Sequence, residues 1–382
     1  MTDRLGGYWL GARLDGGGRT IVREAYDESG ARYALGMPCP PDATARARLA
    51  AATAVHSLSV AAVVTSRLDA EPPYVVSEYI EGPTLRHVVD RHGPYAGDDL
   101  YRLAAATATA LAAVHEAGAV HGALTPDKVI LGAQGPRLVG LGLWPGPAPG
   151  AGPRPAEGAG GSYTDSGPAA DVHAWGRLLV FAAYGPDDRL GHGERFERPL
   201  RALVAAALHP DPEHRPNARQ LLMSLLDVPQ SQQGRLLPPE PIDDPPLGVR
   251  AEAVYLRLGP GDQDVVPDVF LRLVGLDAEG ADTVAPAAGE DLVAGRGVDE
   301  VAAIERVLEA YQKEGLITDR QAPGEPVSGG ADGRDSAGTP ASVRISYVGL
   351  LRAWPRLREW LDGERSGLAV HRELAQAARR WE

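Results

Sequence analysis

A histidine, an aspartate and one of only two lysines in the chain fall within eight residues, in His121-Gly122-Ala123-Leu124-Thr125-Pro126-Asp127-Lys128, ahead of the apolar run Val129-Ile130-Leu131. After a short turn comes Arg137-Leu138-Val139-Gly140-Leu141-Gly142. The ammonium of Lys128 would repel a divalent cation placed beside it. The other lysine is Lys313, and neither follows a glycine, so the chain has no Gly-x-x-x-x-Gly-Lys-Ser/Thr phosphate loop. Near the N-terminus the turn Gly16-Gly17-Gly18 would let backbone approach a phosphate closely, whereas the carboxylate of Asp15 just before it would repel one. The lone Cys39 excludes an intramolecular disulfide framework and a zinc site built of cysteines.

The elements that position these residues follow from pattern and punctuation. Glycine-separated strands are expected at 8–14, 21–26 and 32–35, then an alanine-rich helix over 44–58. Tyr74-Val75-Val76-Ser77-Glu78 reads as a strand that runs out at Tyr79-Ile80-Glu81-Gly82. Leu100, Leu103, Leu111 and Val114 recur with a helical period, which predicts a helix over 98–117 stopped by Gly118. Residues 144–169 are almost wholly Gly, Pro, Ala and Ser, a composition that buries no core; the hydroxyls of Ser162, Tyr163, Thr164 and Ser166 sit in it. A helix beginning near Asp171 and the turn His209-Pro210-Asp211-Pro212-Glu213-His214-Arg215-Pro216 follow. Residues 229–248 read as a proline-rich linker between a first domain, 1–228, and a second, 249–382. In the second, amphipathic helices through Ala253 to Val274 and over 298–315 precede two strands, 316–318 and 343–345, the pattern of a winged helix.

Laid out in this order, the first domain resembles the bacterial Ser/Thr protein kinases. His121 to Lys128 is similar to their His-Arg-Asp-Leu-x-x-x-Asn loop and Gly140-Leu141-Gly142 to their Asp-Phe-Gly; Asp171-Val172-His173-Ala174-Trp175-Gly176 resembles Asp-Val-x-Ser-x-Gly, and Asp211-Pro212-Glu213-His214-Arg215-Pro216 resembles Asp-Pro-x-x-Arg-Pro. The resemblance places the catalytic Asp on Ala123, the magnesium-binding Asn on Lys128 and the Asp of Asp-Phe-Gly on Gly140. It places the phosphate-gripping lysine on Gly36, its glutamate partner on Ala51, the loop glycines on Asp15, Gly17 and Thr20, and the adenine hinge at Glu78 and Tyr79. It further implies that Asp171 braces the catalytic loop and that Arg215 normally pairs with a glutamate absent here. A pseudokinase is the expectation: no enzyme, no metal and no cofactor, with a vestigial nucleotide cleft at Asp15, Gly17, Thr20, Glu78 and Tyr79 whose ATP binding is left open.

Phe270-Leu271-Arg272-Leu273-Val274 and Leu350-Leu351-Arg352-Ala353-Trp354-Pro355-Arg356-Leu357-Arg358-Glu359-Trp360-Leu361, with Gly367 to Leu374 behind them, resemble the winged-helix region of bacterial STAND-type NTPases. The family's His-Glu-Ala-Leu is here Tyr347-Val348-Gly349-Leu350. The expected fold class is therefore α+β, a two-lobed kinase-like fold followed by a mainly helical winged-helix domain. A hydrophobic share of 44% suffices for both cores. The net charge of -13 disfavours nonspecific adhesion to nucleic acid or an anionic membrane. The absence of an N-terminal basic-then-apolar signal and of any membrane-length apolar run leads to the expectation of a cytoplasmic protein. The functional expectation is a catalytically inactive scaffold or switch acting through a protein partner. The alternatives are a weakly active or nucleotide-binding Ser/Thr kinase and a DNA-binding regulator using the Arg-rich stretch.

Overall fold

A computed structural model describes residues 4–14, 21–37, 43–143, 167–186, 196–229, 245–277, 280–320 and 342–363. Asp15, Gly17, Thr20, Cys39, the hydroxyls at 162–166, most of the linker and the stretch from Gly367 onward lie outside these residues.

Glycine-punctuated, β-branched and aromatic segments form the first sheet: β1 (Arg4–Leu5), β2 (Tyr8–Arg13), β3 (Ile21–Tyr26), β4 (Arg32–Met37), β5 (Val63–Arg67) and β6 (Tyr74–Glu78). Its order is β1-β2-β3-β4-β6-β5. The alanine-rich helix α1 spans Ala43–Thr53, shorter than the 44–58 expected. Helix α2 (Leu85–His92) starts where Thr84 Oγ1 accepts the His87 N–H at 3.1 Å. Helix α3 (Gly97–Glu116) carries Asp98 and Asp99 in its first turn, favourable charges for that end, and stops at Gly118, whose φ of 74° suits glycine. Its leucine and alanine positions are buried against α4 (Pro168–Tyr184) and α6 (Ala218–Leu226). Trp175 of α4 is fully buried and fixes the crossing by donating Nε1–H to Thr107 Oγ1 at 3.0 Å. A two-stranded ribbon, β7 (Val129–Gly132) and β8 (Gly135–Leu138), follows the turn Pro126–Lys128. Helix α5 (Arg198–Ala207) completes this part.

From Leu247 the chain builds helices Leu247–Arg257, Pro260–Arg272 and Val298–Lys313. Strands β9 (Val274–Leu276) and β10 (Asp282–Val284) form a hairpin that the sequence pattern did not announce. Strand β11 (Ala287–Ala288) adds to the expected pair β12 (Ile317–Arg320) and β13 (Ser342–Ile345), giving the wing three strands in the order β11-β13-β12. The chain thus has the α+β class expected of it.

Compactness divides the chain discontinuously: Arg13–Arg23 with Tyr33–Asp243 form one unit, and Met1–Ala12 with Glu24–Arg32 and Asp244–Glu382 form the other. Leu111, Trp175, Leu178 and Leu221 centre the core of the first unit. Phe270, Tyr311, Trp354 and Leu357 centre that of the second, and Trp9 and Tyr26 belong to the same core. No helix among the described residues is long and apolar enough to cross a membrane.

Candidate functional site: the kinase-like cleft

Asp171 is the anchor of the site. Pro168 opens helix α4, so Asp171 lies in the first turn, where its charge complements the helix dipole. The carboxylate is 1% exposed, and a charge so buried is tolerable only with partners. It has three: the backbone N–H groups of His121 and Gly122, each donating at 2.7 Å, and His115 Nε2 at 3.0 Å. Gly122 takes φ of 71°, which lets the loop turn back so that both amides face one carboxylate. The brace implied by the resemblance is present in full.

His121 is buried, its Nε2 3.2 Å from the Val139 carbonyl oxygen. The Ala123 N–H donates to its Nδ1 at 3.4 Å, which assigns the neutral ring with its proton on Nε2. Burial pushes the His121 pKa down, against the attraction of Asp171. The ring ties the loop to the segment leading into Gly140, and the Val139 N–H donates to the Lys128 carbonyl at 3.0 Å. These bonds bring Ala123, Lys128 and Gly140 together, as the resemblance implies.

At Gly140 φ is 84°, and a Cβ placed there would lie 3.4 Å from Lys128 Cδ and 4.0 Å from Nζ. The lysine side chain therefore runs alongside the position that lacks a carboxylate. An ammonium at one position and no side chain at the other do not fit a divalent cation.

Gly36 lies on β4 opposite Val75 of β6. A Cβ at Gly36 would come within 2.5 Å of Leu143 Cδ2, so the leucine just after Gly142 occupies the space a residue-36 side chain would need. Sequence reasoning missed Leu143; its signal was an apolar residue directly behind the Gly140-Leu141-Gly142 turn. Ala51 of α1 is half-buried and packs on the core, with no polar function there.

Glu78 ends β6, and its side chain is committed to Arg137. Arg137 holds both carboxylate oxygens at 2.6 Å, and the Ala62 N–H lies 3.4 Å from Oε2. The hydrogen bonds from Arg137 hold the Glu78 carboxyl below the usual carboxylate range. Its own N–H donates to the Ala62 carbonyl at 2.9 Å. Tyr79, half-buried, follows it into the segment that leads to Thr84. Arg215 donates to the carbonyl oxygens of His209, Ala169 and Pro210 at 2.8, 3.0 and 3.1 Å.

Comparison with known proteins matches both parts of the chain. The family model described as "Novel STAND NTPase 1" covers residues 246–382. "Probable serine/threonine-protein kinase PkwA" of Thermomonospora curvata is 32% identical over 262 residues, 58% of this chain and 34% of the relative. "Serine/threonine-protein kinase AfsK" of Streptomyces coelicolor is 34% identical over 200 residues, 48% of this chain and 25% of the relative. Among solved structures, Rad53 1-466 in complex with AMP-PNP superposes with a TM-score of 0.46 at 18% identity, over 56% of this chain and 64% of that one. The chain thus spans about a third or less of the length of these two curated relatives.

These relatives correct one expectation. The chain was expected to be no enzyme because Ala123, Lys128, Gly140, Gly36 and Ala51 stand at positions of kinase chemistry; yet the proteins it matches at 32–34% identity are named as serine/threonine-protein kinases. Departures at single positions do not remove a chain from an enzyme family, and the non-enzyme reading is withdrawn. The chain is similar to Ser/Thr protein kinases in its first part and to STAND NTPases in its last.

Proposed function

We propose that the kinase-like part binds a nucleoside triphosphate and transfers its phosphate slowly to a hydroxyl acceptor, as a nucleotide-binding Ser/Thr-kinase-type signalling module. The observation that carries this reading is the intact brace: Asp171 still fixes the His121-Gly122 backbone on which catalytic-loop geometry depends. Likeness to proteins named as kinases supports it. Hinge contacts to a purine are made by backbone, so they do not require the carboxylate that Glu78 commits to Arg137. With a methyl group at Ala123 the acceptor hydroxyl loses its base, a loss worth about 10²–10⁴ in rate. The Lys128 side chain beside Gly140 offers a positive charge where the residues do not suit a metal ion.

Two measurements test the reading. ATP should raise the melting temperature without magnesium, and Ala123→Asp should raise transfer of radiolabelled γ-phosphate to protein or to a generic acceptor. Absence of any thermal response to ATP, with or without magnesium, together with no transfer by Ala123→Asp, overturns it.

The C-terminal part supports a protein partner of unassigned identity more than nucleic acid. Arg356 is bidentate on Glu252, with the closer oxygen at 2.7 Å, and its guanidinium lies 4.1 Å from the Tyr255 ring centre. Arg358 donates to the Ser29 carbonyl oxygen. Arginines engaged this way are poorly placed to neutralise phosphates.

A further inference from the structure

Between Ala123 and Lys128 the loop carries a single hydroxyl, that of Thr125. Leu124 before it is buried in the core of its unit, whereas Ala123 is half-buried and Thr125 exposed. Thr125 has extended backbone, with φ of -141° and ψ of 165°. In extended chain neighbouring side chains point to opposite sides, and alternate ones share a side about 6–7 Å apart. With Leu124 turned into the core, Ala123 and Thr125 thus emerge together on the other face. The Thr125 hydroxyl does not cap the turn that follows it. That turn closes with the Lys128 N–H donating to the Thr125 carbonyl oxygen at 2.9 Å, so Thr125 and Lys128 stand at its two ends.

The loop is held on both sides of this hydroxyl. Asp171 fixes the backbone at His121 and Gly122, and Arg86 Nε meets both carboxylate oxygens of Asp127 at 2.8 Å. The Arg86 guanidinium itself lies 4.9 Å from the Phe181 ring centre. A hydroxyl on so constrained a loop needs no second encounter to reach the reacting phosphate. Magnitudes then favour it over a diffusing acceptor. Losing the base at Ala123 costs either acceptor about 10²–10⁴ in rate, but good placement within one molecule is worth effective molarities of up to about 10⁵–10⁸ M.

We propose that Thr125 is the hydroxyl to which this module transfers phosphate, in cis and once per chain; the proposal rests on the phosphate-transfer reading above. In the step, Thr125 Oγ1 bonds to the γ-phosphorus of ATP and the bond from that phosphorus to the β,γ-bridging oxygen breaks. ADP leaves, and the hydroxyl proton passes to water, to which the exposed side chain is open. The product adds about two negative charges at one end of the turn, and the Lys128 ammonium at the other end offsets part of them. With one acceptor on the loop the reaction limits itself, and the modified chain is a different charge state of the same module.

The test incubates the full chain with ATP and locates phosphate by peptide mass spectrometry, in the wild type, Ala123→Asp, Thr125→Val and Thr125→Ser. The two substitutions at 125 lie at an exposed position, and Val keeps the branched shape that suits extended backbone. One phosphate per chain is expected on Thr125, at a rate per chain unchanged on dilution, and faster in Ala123→Asp. Thr125→Ser should retain it and Thr125→Val should lose it. Phosphate that maps to another residue, persists in Thr125→Val, or forms at a rate that rises with protein concentration overturns the proposal. A thermal response to ATP with no phosphate on Thr125, in the wild type and Ala123→Asp alike, overturns this acceptor and leaves nucleotide binding standing. No thermal response and no transfer overturn the nucleotide reading together with it.

Discussion

Gly36 shows how a single position can be closed to the chemistry its neighbours suggest. The missing lysine cannot simply be put back, because Leu143 fills the space. Gly36→Lys should destabilise the protein by about 1–3 kcal/mol through overpacking, and Leu143→Ala should recover part of that loss in the double variant, as read by urea unfolding. Asp171 has the opposite character, since everything around it depends on its presence. Asp171→Ala strips buried donors of their acceptor, at about 1–3 kcal/mol for each left unsatisfied. His121 adds a pH signature. Its folded-state pKa lies below the unfolded value, so the unfolded chain takes up a proton first as pH falls. Stability from the neutral ring is therefore intact above about pH 6.5 and is lost progressively below it. The slope of unfolding free energy against pH in that acid window should shrink in His121→Asn, and an unchanged slope would assign the pH dependence elsewhere.

Among elements, helices with clear apolar periods and chemical stops were legible before any coordinates. Leu100, Leu103, Leu111 and Val114 announce α3, and Gly118 ends it, because periodicity and a left-handed residue are local properties. The wing strands around 317 and 344 were legible for the same reason. Strand β11 was not: two alanines carry no alternation, and they become a strand only because β13 supplies the hydrogen-bonding edge. The catalytic-loop segment, the Asp171 brace and the departures at Ala123, Lys128 and Gly140 came from the resemblance to protein kinases, carried by motifs that stand close together in sequence. Leu143 over Gly36 and Arg137 on Glu78 could not, since both depend on where distant segments are folded. In the Arg-rich stretch Trp354, Leu357 and Leu361 are buried, while Arg352 and Arg356 are spent on Asp282 and on Glu252 with Tyr255, partners distant in sequence. At helix α6 a capping box joins Asn217 and Gln220, with the Gln220 N–H on Asn217 Oδ1 at 2.8 Å. Asn217→Ala should cost about 0.5–2 kcal/mol in a thermal melt, and a neutral outcome would show the cap to be replaceable by water.

For the whole molecule, two cores imply two sets of mutational responses. Leu111→Ala acts on the first core and Phe270→Ala on the second, and each should lower stability by about 2–5 kcal/mol. Scanning calorimetry should show the two substitutions moving different parts of the unfolding profile; identical shifts would mean that the units unfold as one. The discontinuity of the second unit also bears on how the chain is made. Tyr26 meets Leu247 across 221 positions of sequence. At a synthesis rate of about 5–20 residues per second, the N-terminal strands wait roughly 10–45 s outside the ribosome before their core partners emerge. During that interval Trp9 and Tyr26 are apolar surface without a cover, and their burial waits until the C-terminal part has been translated.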